Sequence, residues 1–202
     1  MRTPVNGRVV IVFFVLLALC GPLSAKDRRK LDSTVPSGEI MNMNPEDIDP
    51  SGLPLTPVES MHSTGTYRSV DVAAWRLTVR GSAVHAPLAL TFEVLSSMPL
   101  VKKRAILICP GFFYDYLEWE GVPLSALLER AGVTTFAKVS FTSVDGYSAS
   151  FTKAEVNDHL LMVAVRGNGV PLPRAQGYPA RLVAEDTFGG RWVKYLQEIV
   201  VQ

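Results

Sequence analysis

Cysteine is scarce in this chain, with Cys20 and Cys109 the two among 202 residues. Cys20 closes an apolar N-terminal run. Once that segment is removed, Cys109 has no partner for an intramolecular disulfide, which excludes a disulfide-stapled scaffold. Histidine is nearly as rare. His62, His85 and His159 are too widely spaced for a histidine-based zinc site. The chain has no phosphate-binding glycine–lysine loop and no G-x-S-x-G elbow. A Cys109 nucleophile served by His85 or His159 is disfavoured, because the cysteine sits beside Pro110 at a strand end rather than at a helix N-terminus. One-sided charge is also missing. The formal net charge is +1, which offers no field for nucleic acid or an anionic membrane. No apolar run comfortably reaches the roughly 20 residues of a bilayer span. Internal repeats and low-complexity tracts are absent.

The composition that remains, 48% hydrophobic and 19% charged, is that of one globular domain with a sizeable core. Residues 1–25 read as an export signal: Arg2 and Arg8, an apolar stretch from Val9 to Cys20, then the small-residue site Leu23-Ser24-Ala25. The mature chain would begin near Lys26 and reach the periplasm or the exterior, without a transmembrane segment. An uncleaved membrane anchor is the other reading, and lipidation at Cys20 meets an unsuitably large Leu19. Residues 26–57 read as a linker arm, with Pro36, Pro45, Pro50, Pro54 and Pro57 breaking any regular element. Residues 58–202 form the domain proper.

Within that domain, Trp75, Leu77 and Val79 alternate with polar residues up to Gly81, a half-buried strand. Leu88 to Leu90 is a second strand. Thr91 caps a short helix over Phe92 to Ser97. Ala105 to Ile108 is a buried strand that must end at Cys109-Pro110-Gly111, since Pro110 has no N–H to give. The Cys109 thiol then lies on a sharp exit loop at the mouth of the strand, followed by the aromatics Phe112, Phe113 and Tyr114. Pro123 opens a helix whose Leu124, Leu127, Leu128 and Ala131 share a face, and Gly132 ends it. Val139 to Ser143 and Tyr147 to Phe151 flank Asp145-Gly146 as a hairpin. Thr152 and Glu155 form a capping box. Leu160 to Val165 is a strand, Asn168-Gly169 a turn, and Arg181 to Ala184 and Val193 to Val201 are closing strands. The fold class is α+β, a mixed, largely antiparallel sheet system with short helices.

Taken alone, Cys109 reads as a small buried hydrophobe. Its setting, a thiol at the mouth of a buried strand ahead of three aromatics, also suits a soft ligand held against something flat. Downstream, Arg166, Arg174, Arg181, Arg191 and Lys194 lie among Gly167, Gly169, Gly177, Gly189 and Gly190. Cations next to flexible backbone N–H groups are what a phosphorylated cofactor requires.

The order of these motifs resembles one family. LPLTPVE at 53–59, WRLTVRG at 75–81, LICPG at 107–111, WEGVPLSALLERAGV at 119–133, SVDGYSASF at 143–151, NGVPLPRAQGYPARLVA at 168–184 and FGGRWVKYL at 188–196 are similar to the molybdopterin-binding oxidoreductase domain of the sulfite oxidase type. The resemblance implies that fold and a molybdenum–molybdopterin cofactor. It implies Cys109 as the thiolate ligand to the metal and Asp145 near the metal. Arg181, Gly189, Gly190, Arg191 and Lys194 would bind the cofactor. A thiolate is a soft anionic donor suited to such a metal. The implied activity is oxygen-atom transfer or related two-electron redox chemistry on a small-molecule substrate, with an electron-transfer partner protein. The other reading is a cofactor-free domain of the same fold that binds a ligand or a protein.

The chain departs from the family pattern in places. Pro110-Gly111-Phe112-Phe113 replaces the usual glycine-asparagine-arginine run, removing an arginine that helps bind an anionic substrate. Gln176 stands where a histidine is common. Glu185-Asp186 replaces proline-glycine and is expected to set two carboxylates near an anionic cofactor. Export of a folded member takes paired arginines ahead of the apolar run, where Arg2 and Arg8 are isolated.

Overall fold

Ala105 to Ile108 are all buried, so their strand cannot be one of the alternating kind with a wet face. In the computed structural model, which describes residues 27–202, both faces of this strand are covered. The export signal expected at residues 1–25 lies outside the described residues. The elements in chain order are β1 (Arg29–Asp32), α1 (Ser37–Ile40), β2 (Ile48–Gly52), β3 (Leu77–Arg80), β4 (Leu88–Leu90), α2 (Phe92–Ser97), β5 (Val101–Cys109), β6 (Phe113–Pro123), α3 (Leu124–Arg130), β7 (Lys138–Ser143), β8 (Ser148–Thr152), α4 (Lys153–Asp158), β9 (Leu161–Gly167), β10 (Val170–Pro171), β11 (Arg181–Ala184) and β12 (Leu196–Val201).

One five-stranded sheet runs β10-β9-β6-β5, with β11 also on β9, and is antiparallel throughout. The other five-stranded sheet runs β4-β3-β12-β7-β8. It is antiparallel except where β12 returns parallel to β3. Their inner faces share one core containing Leu77, Val79, Leu107, Trp119, Phe141 and Ile199. Trp75 ties into the closing strand by donating Nε1–H to the Leu196 carbonyl at 3.1 Å. The fold is α+β with short helices and largely antiparallel sheets, as the sequence implies.

Three expectations change. The proline-rich arm was to contain no regular element, yet β1 and β2 pair in parallel and α1 lies between them. Pro36 and Pro45 lie outside the two strands, and Pro50, inside β2, falls where the register shifts between Lys30 and Asp32, an irregularity that tolerates a residue with no N–H to give. Leu31, Ile40, Ile48 and Leu53 pack on Ile106, Ile108 and Tyr116, the outer face of β5 and β6. The second change follows Cys109. The sequence implies an exit loop carrying Cys109, but Cys109 is the last residue of β5, and the chain turns through Pro110, Gly111 and Phe112, with Gly111 at φ 75°. It then returns as β6, pairing Cys109 with Phe113. Third, the closing strand begins at Leu196 rather than Val193. Val193 accepts from Leu182 N–H at 2.8 Å, and Tyr195 adopts φ 52°.

Among the described residues no helix is long and apolar enough to cross a membrane.

Candidate functional site

β5 delivers Cys109 to the end of one sheet, and the β7–β8 hairpin delivers Asp145 from the other. A cavity of about 220 Å³ lies between them, lined by both residues and by Thr64, Gly65, Thr66, Ser143, Tyr147, Gly189, Gly190, Trp192, Lys194 and Tyr195. A smaller cavity of about 40 Å³ shares Cys109, Thr64, Gly189, Trp192 and Lys194 and adds His62, Phe113, Gln176 and Arg181.

The Cys109 thiol is partly buried, and that burial pushes its pKa up. The neighbouring Arg181 charge opposes the rise, Asp115 adds to it, and Lys194 opposes it again. Gly189 packs directly on the sulfur. A Cβ there would stand 2.9 Å from Cys109 Sγ and 3.0 Å from Leu107 Cδ2, so the backbone passes the thiol only because the residue is glycine.

Asp145 accepts from Arg68 Nε at 3.0 Å and from Tyr147 N–H at 3.2 Å. The Arg68 bond above all, then the Ser143 hydroxyl, holds its carboxyl below the usual range. The Tyr147 hydroxyl donates to the Gly190 carbonyl, tying the hairpin to the glycine pair.

Arg181 is 2% exposed. Its guanidinium carbon lies 5.0 Å from the Trp119 ring and 5.8 Å from the Trp192 ring, a cation–π setting. One Nη bonds the Gln176 carbonyl and the Gln176 Oε1, both at 3.3 Å. Desolvation lowers its pKa to about 10, against the opposing pull of Asp115 and Cys109. Its Nε has no hydrogen-bond partner, and neither does the buried Tyr195 hydroxyl. A buried polar group without a partner costs roughly 1–3 kcal/mol. Arg181 lines the smaller cavity and Tyr195 the larger, so each orphaned atom is one that a polar group bound there would satisfy.

Lys194 is held by the Thr64 carbonyl at 2.6 Å, Ser63 Oγ at 3.0 Å and the Ala175 carbonyl at 3.3 Å. Burial lowers its pKa, and the Arg181 charge adds to that. Arg191 stands apart. It bonds Glu155 at 2.6 Å and the Ser150 carbonyl at 2.6 Å, and its guanidinium lies 3.8 Å over the Phe151 ring. It is not among the residues lining either cavity. Glu185 and Asp186, expected near the cofactor, also line neither cavity. Glu185 pairs with Lys103 at 2.9 Å and Asp186 with Arg28 at 2.6 Å, so both carboxylates are neutralised elsewhere. Gln176, in place of the common histidine, donates to the His62 carbonyl at 2.9 Å and to Met61 at 3.3 Å.

Sequence reasoning missed the segment from His62 to Thr66, which walls both cavities. His62 donates its backbone N–H to Asp115 Oδ2 at 3.0 Å, and its Nδ1 lies 2.9 Å from Asp115 Oδ1. The ring stacks on Phe113 with centroids 4.7 Å apart and planes 13° apart. Asp115 is 1% exposed. Burial raises its pKa, against the hydrogen bond and charge of His62. Nothing in the spacing of three histidines marks this one. The available signal was an acid, Asp115, inside an aromatic run.

Among the described residues no cluster of three or more His, Cys, Asp or Glu side chains is placed to hold a metal. A metal at Cys109 would take its other ligands from a cofactor. The residues fit such a group: a soft donor, two cations, a glycine-lined approach and two orphaned polar atoms.

Comparison with known proteins agrees with this geometry. The model of a family described as the oxidoreductase molybdopterin binding domain matches residues 64–202. Human mitochondrial sulfite oxidase is 28% identical over 164 residues, 66% of this chain and 30% of that protein. An NADH nitrate reductase of Solanum lycopersicum is 37% identical over 97 residues, 41% of this chain and 11% of that one. The crystal structure of the sulfane dehydrogenase SoxCD from Paracoccus pantotrophus matches with a TM-score of 0.68 at 23% identity, covering 95% of this chain and 56% of that one. The likeness there is of fold. The chain thus spans about 30% of the length of the human relative and less of the plant one.

Proposed function

Because this chain belongs to the oxidoreductase molybdopterin-binding domain family, whose cofactor is molybdenum bound to molybdopterin, we propose that it holds that cofactor at Cys109 as an exported oxidoreductase acting on a small substrate. The cofactor, when bound, supplies oxygen-atom transfer or related two-electron redox chemistry. Everything else comes from the chain. The Cys109 thiolate is the protein ligand to the metal, a soft donor at a cavity mouth. The thiol must lose its proton to serve, so cofactor retention weakens as pH falls. Arg181 and Lys194 supply positive charge toward the anionic cofactor. Gly189 and Gly190 let it approach the backbone, and Arg181 Nε and the Tyr195 hydroxyl have hydrogen bonds to offer. Asp145 faces the same cavity as an ionised acceptor. Arg191 can join only by releasing Glu155. Residues 58–202 are the cofactor-holding unit, residues 1–25 are the export signal, and a separate electron-transfer protein serves the site.

The observation that carries this reading is the meeting of Cys109, Asp145, Gly189, Gly190 and Lys194 in one cavity, also lined by Tyr195 with its unpartnered hydroxyl, while Arg181 with its unpartnered Nε lines the adjoining one. Protein purified from its native host is expected to contain molybdenum and pterin by metal and fluorescence analysis, and to begin near Lys26. Cys109→Ser is expected to lose most of the bound metal while unfolding within about 1–3 kcal/mol of the parent, the cost of a poorly paired buried hydroxyl. Fully folded native protein without molybdenum or pterin would instead identify a cofactor-free binding domain.

A further inference from the structure

We propose that His62 is the proton-transferring residue of the Cys109 cavity, with buried Asp115 holding its ring in the orientation and tautomer that leave Nε2 free for the substrate. The inference rests on the oxidoreductase reading above.

The geometry leaves little choice of tautomer. His62 meets both oxygens of one carboxylate, the backbone N–H on Oδ2 at 3.0 Å and Nδ1 on Oδ1 at 2.9 Å. A carboxylate accepts, so Nδ1 carries the hydrogen. Stacking on Phe113 fixes the ring plane. Among the described residues no hydrogen bond is made to Nε2. The ring lines the smaller cavity together with Cys109 and Arg181, yet its side chain is 55% exposed while that of Asp115 is 1% exposed. One end of the dyad therefore reaches solvent for reloading, while the other is locked in the protein. Such a buried acid orienting an imidazole is the logic of a general acid–base pair.

The other titratable groups lining the cavities are less suited to passing protons. Arg181 stays charged, with a pKa of about 10. Lys194 is held by three oxygens. Asp145 is paired with Arg68. The Tyr147 hydroxyl is used by Gly190, and that of Tyr195 is buried with no route to reload. Cys109 is the metal's ligand in the reading above.

Removing an oxygen atom from a substrate as water consumes two protons and two electrons. An external reductant supplies the electrons. His62 in its imidazolium form gives the Nε2 proton to the departing oxygen, returns to the Nδ1–H tautomer and is reprotonated from solvent before the second transfer. In the oxidising direction it accepts the protons.

Two measurements test the proposal. In cofactor-free protein, nitrogen NMR of labelled histidine at a pH where the ring is neutral is expected to show His62 as the Nδ1–H tautomer. In Asp115→Asn the His62 backbone N–H must keep the single amide oxygen. The amide NH₂ then faces Nδ1 and the ring is expected to switch to Nε2–H. In molybdenum-loaded protein driven by reduced viologen, with trimethylamine N-oxide, dimethyl sulfoxide and nitrate as probes, His62→Gln and Asp115→Asn are expected to lower kcat by about 10²–10⁴-fold. KM and molybdenum content should hold. An Nε2–H tautomer in the parent, or a His62→Gln variant with parental kcat across the pH profile, overturns this proposal and leaves the oxidoreductase reading intact. Fully folded native protein without molybdenum or pterin rejects both.

Discussion

A single missing methyl group decides how close the backbone comes to the Cys109 sulfur. At Gly189 an added Cβ would lie 2.9 Å from Cys109 Sγ, 3.0 Å from Leu107 Cδ2 and 3.2 Å from the Ile108 carbonyl. The last of these is backbone and cannot swing aside. Gly189→Ala is therefore expected to destabilise the fold by about 1–3 kcal/mol, the usual cost of overpacking. It is also expected to reduce molybdenum retention, because the sulfur must shift. Gly190, whose added Cβ would meet nothing nearer than the Tyr147 hydroxyl at 4.0 Å, is the control: alanine there should cost less stability. Urea unfolding and metal content of the two variants, measured together, check the contrast.

At the scale of one element, α4 shows how a cap can also be an anchor. The Thr152 side chain accepts from Glu155 N–H, and the Glu155 carboxylate accepts from Thr152 N–H at 2.8 Å. The same carboxylate holds Arg191 at 2.6 Å. Arg191 foremost, then the Thr152 N–H, lowers the Glu155 pKa from 4.5 to about 2. A carboxyl with a depressed folded pKa adds stability that is fully present above its unfolded value and is lost as pH falls through the folded one. The parent is expected to lose this increment between pH 4.5 and about 2. Glu155→Gln should lack it at neutral pH and converge with the parent at the acid end, as read from urea midpoints against pH.

For the whole molecule, the N-terminal arm is a third layer. Leu31, Ile40, Ile48 and Leu53 cover the face of β5 and β6 that carries Ile106, Ile108 and Tyr116. Arg28 then clamps Asp186 through both oxygens, at 2.7 and 2.6 Å. The strand that ends in Cys109 is thereby packed from both sides, which fixes the thiol. Leu31→Ala and Ile40→Ala remove fully buried side chains and are each expected to cost about 2–5 kcal/mol. Urea unfolding measures the loss, and a cost near zero would mean that the arm is a dispensable cover.

The sequence by itself determined the local elements whose signals lie within a few residues. The strand ending at Gly81, the helix capped by Thr91, the Pro123 helix with Gly132 after it, the hairpin around Asp145-Gly146 and the Thr152–Glu155 capping box all depend on neighbours. The order of motifs around Cys109 added the family, since many weak strings in sequence constrain one another. Tertiary structure alone decided the rest, because it depends on which distant groups face each other. The arm has too few apolar residues to show a period, and becomes β1 and β2 only by finding β5 and β6 to cover. Asp115 breaks the apolar pattern of β6, so that strand is visible only once His62, 53 residues away in sequence, satisfies the buried acid. Glu185 and Asp186 read as a conflict with an anionic cofactor until Lys103 and Arg28 are seen to neutralise them. Arg191 and Lys194 are near in sequence but part in space, one on Glu155 and Phe151, the other at the cavity. Charge partners at long sequence separation leave no trace in spacing, and they settle which cations face the cavity around Cys109.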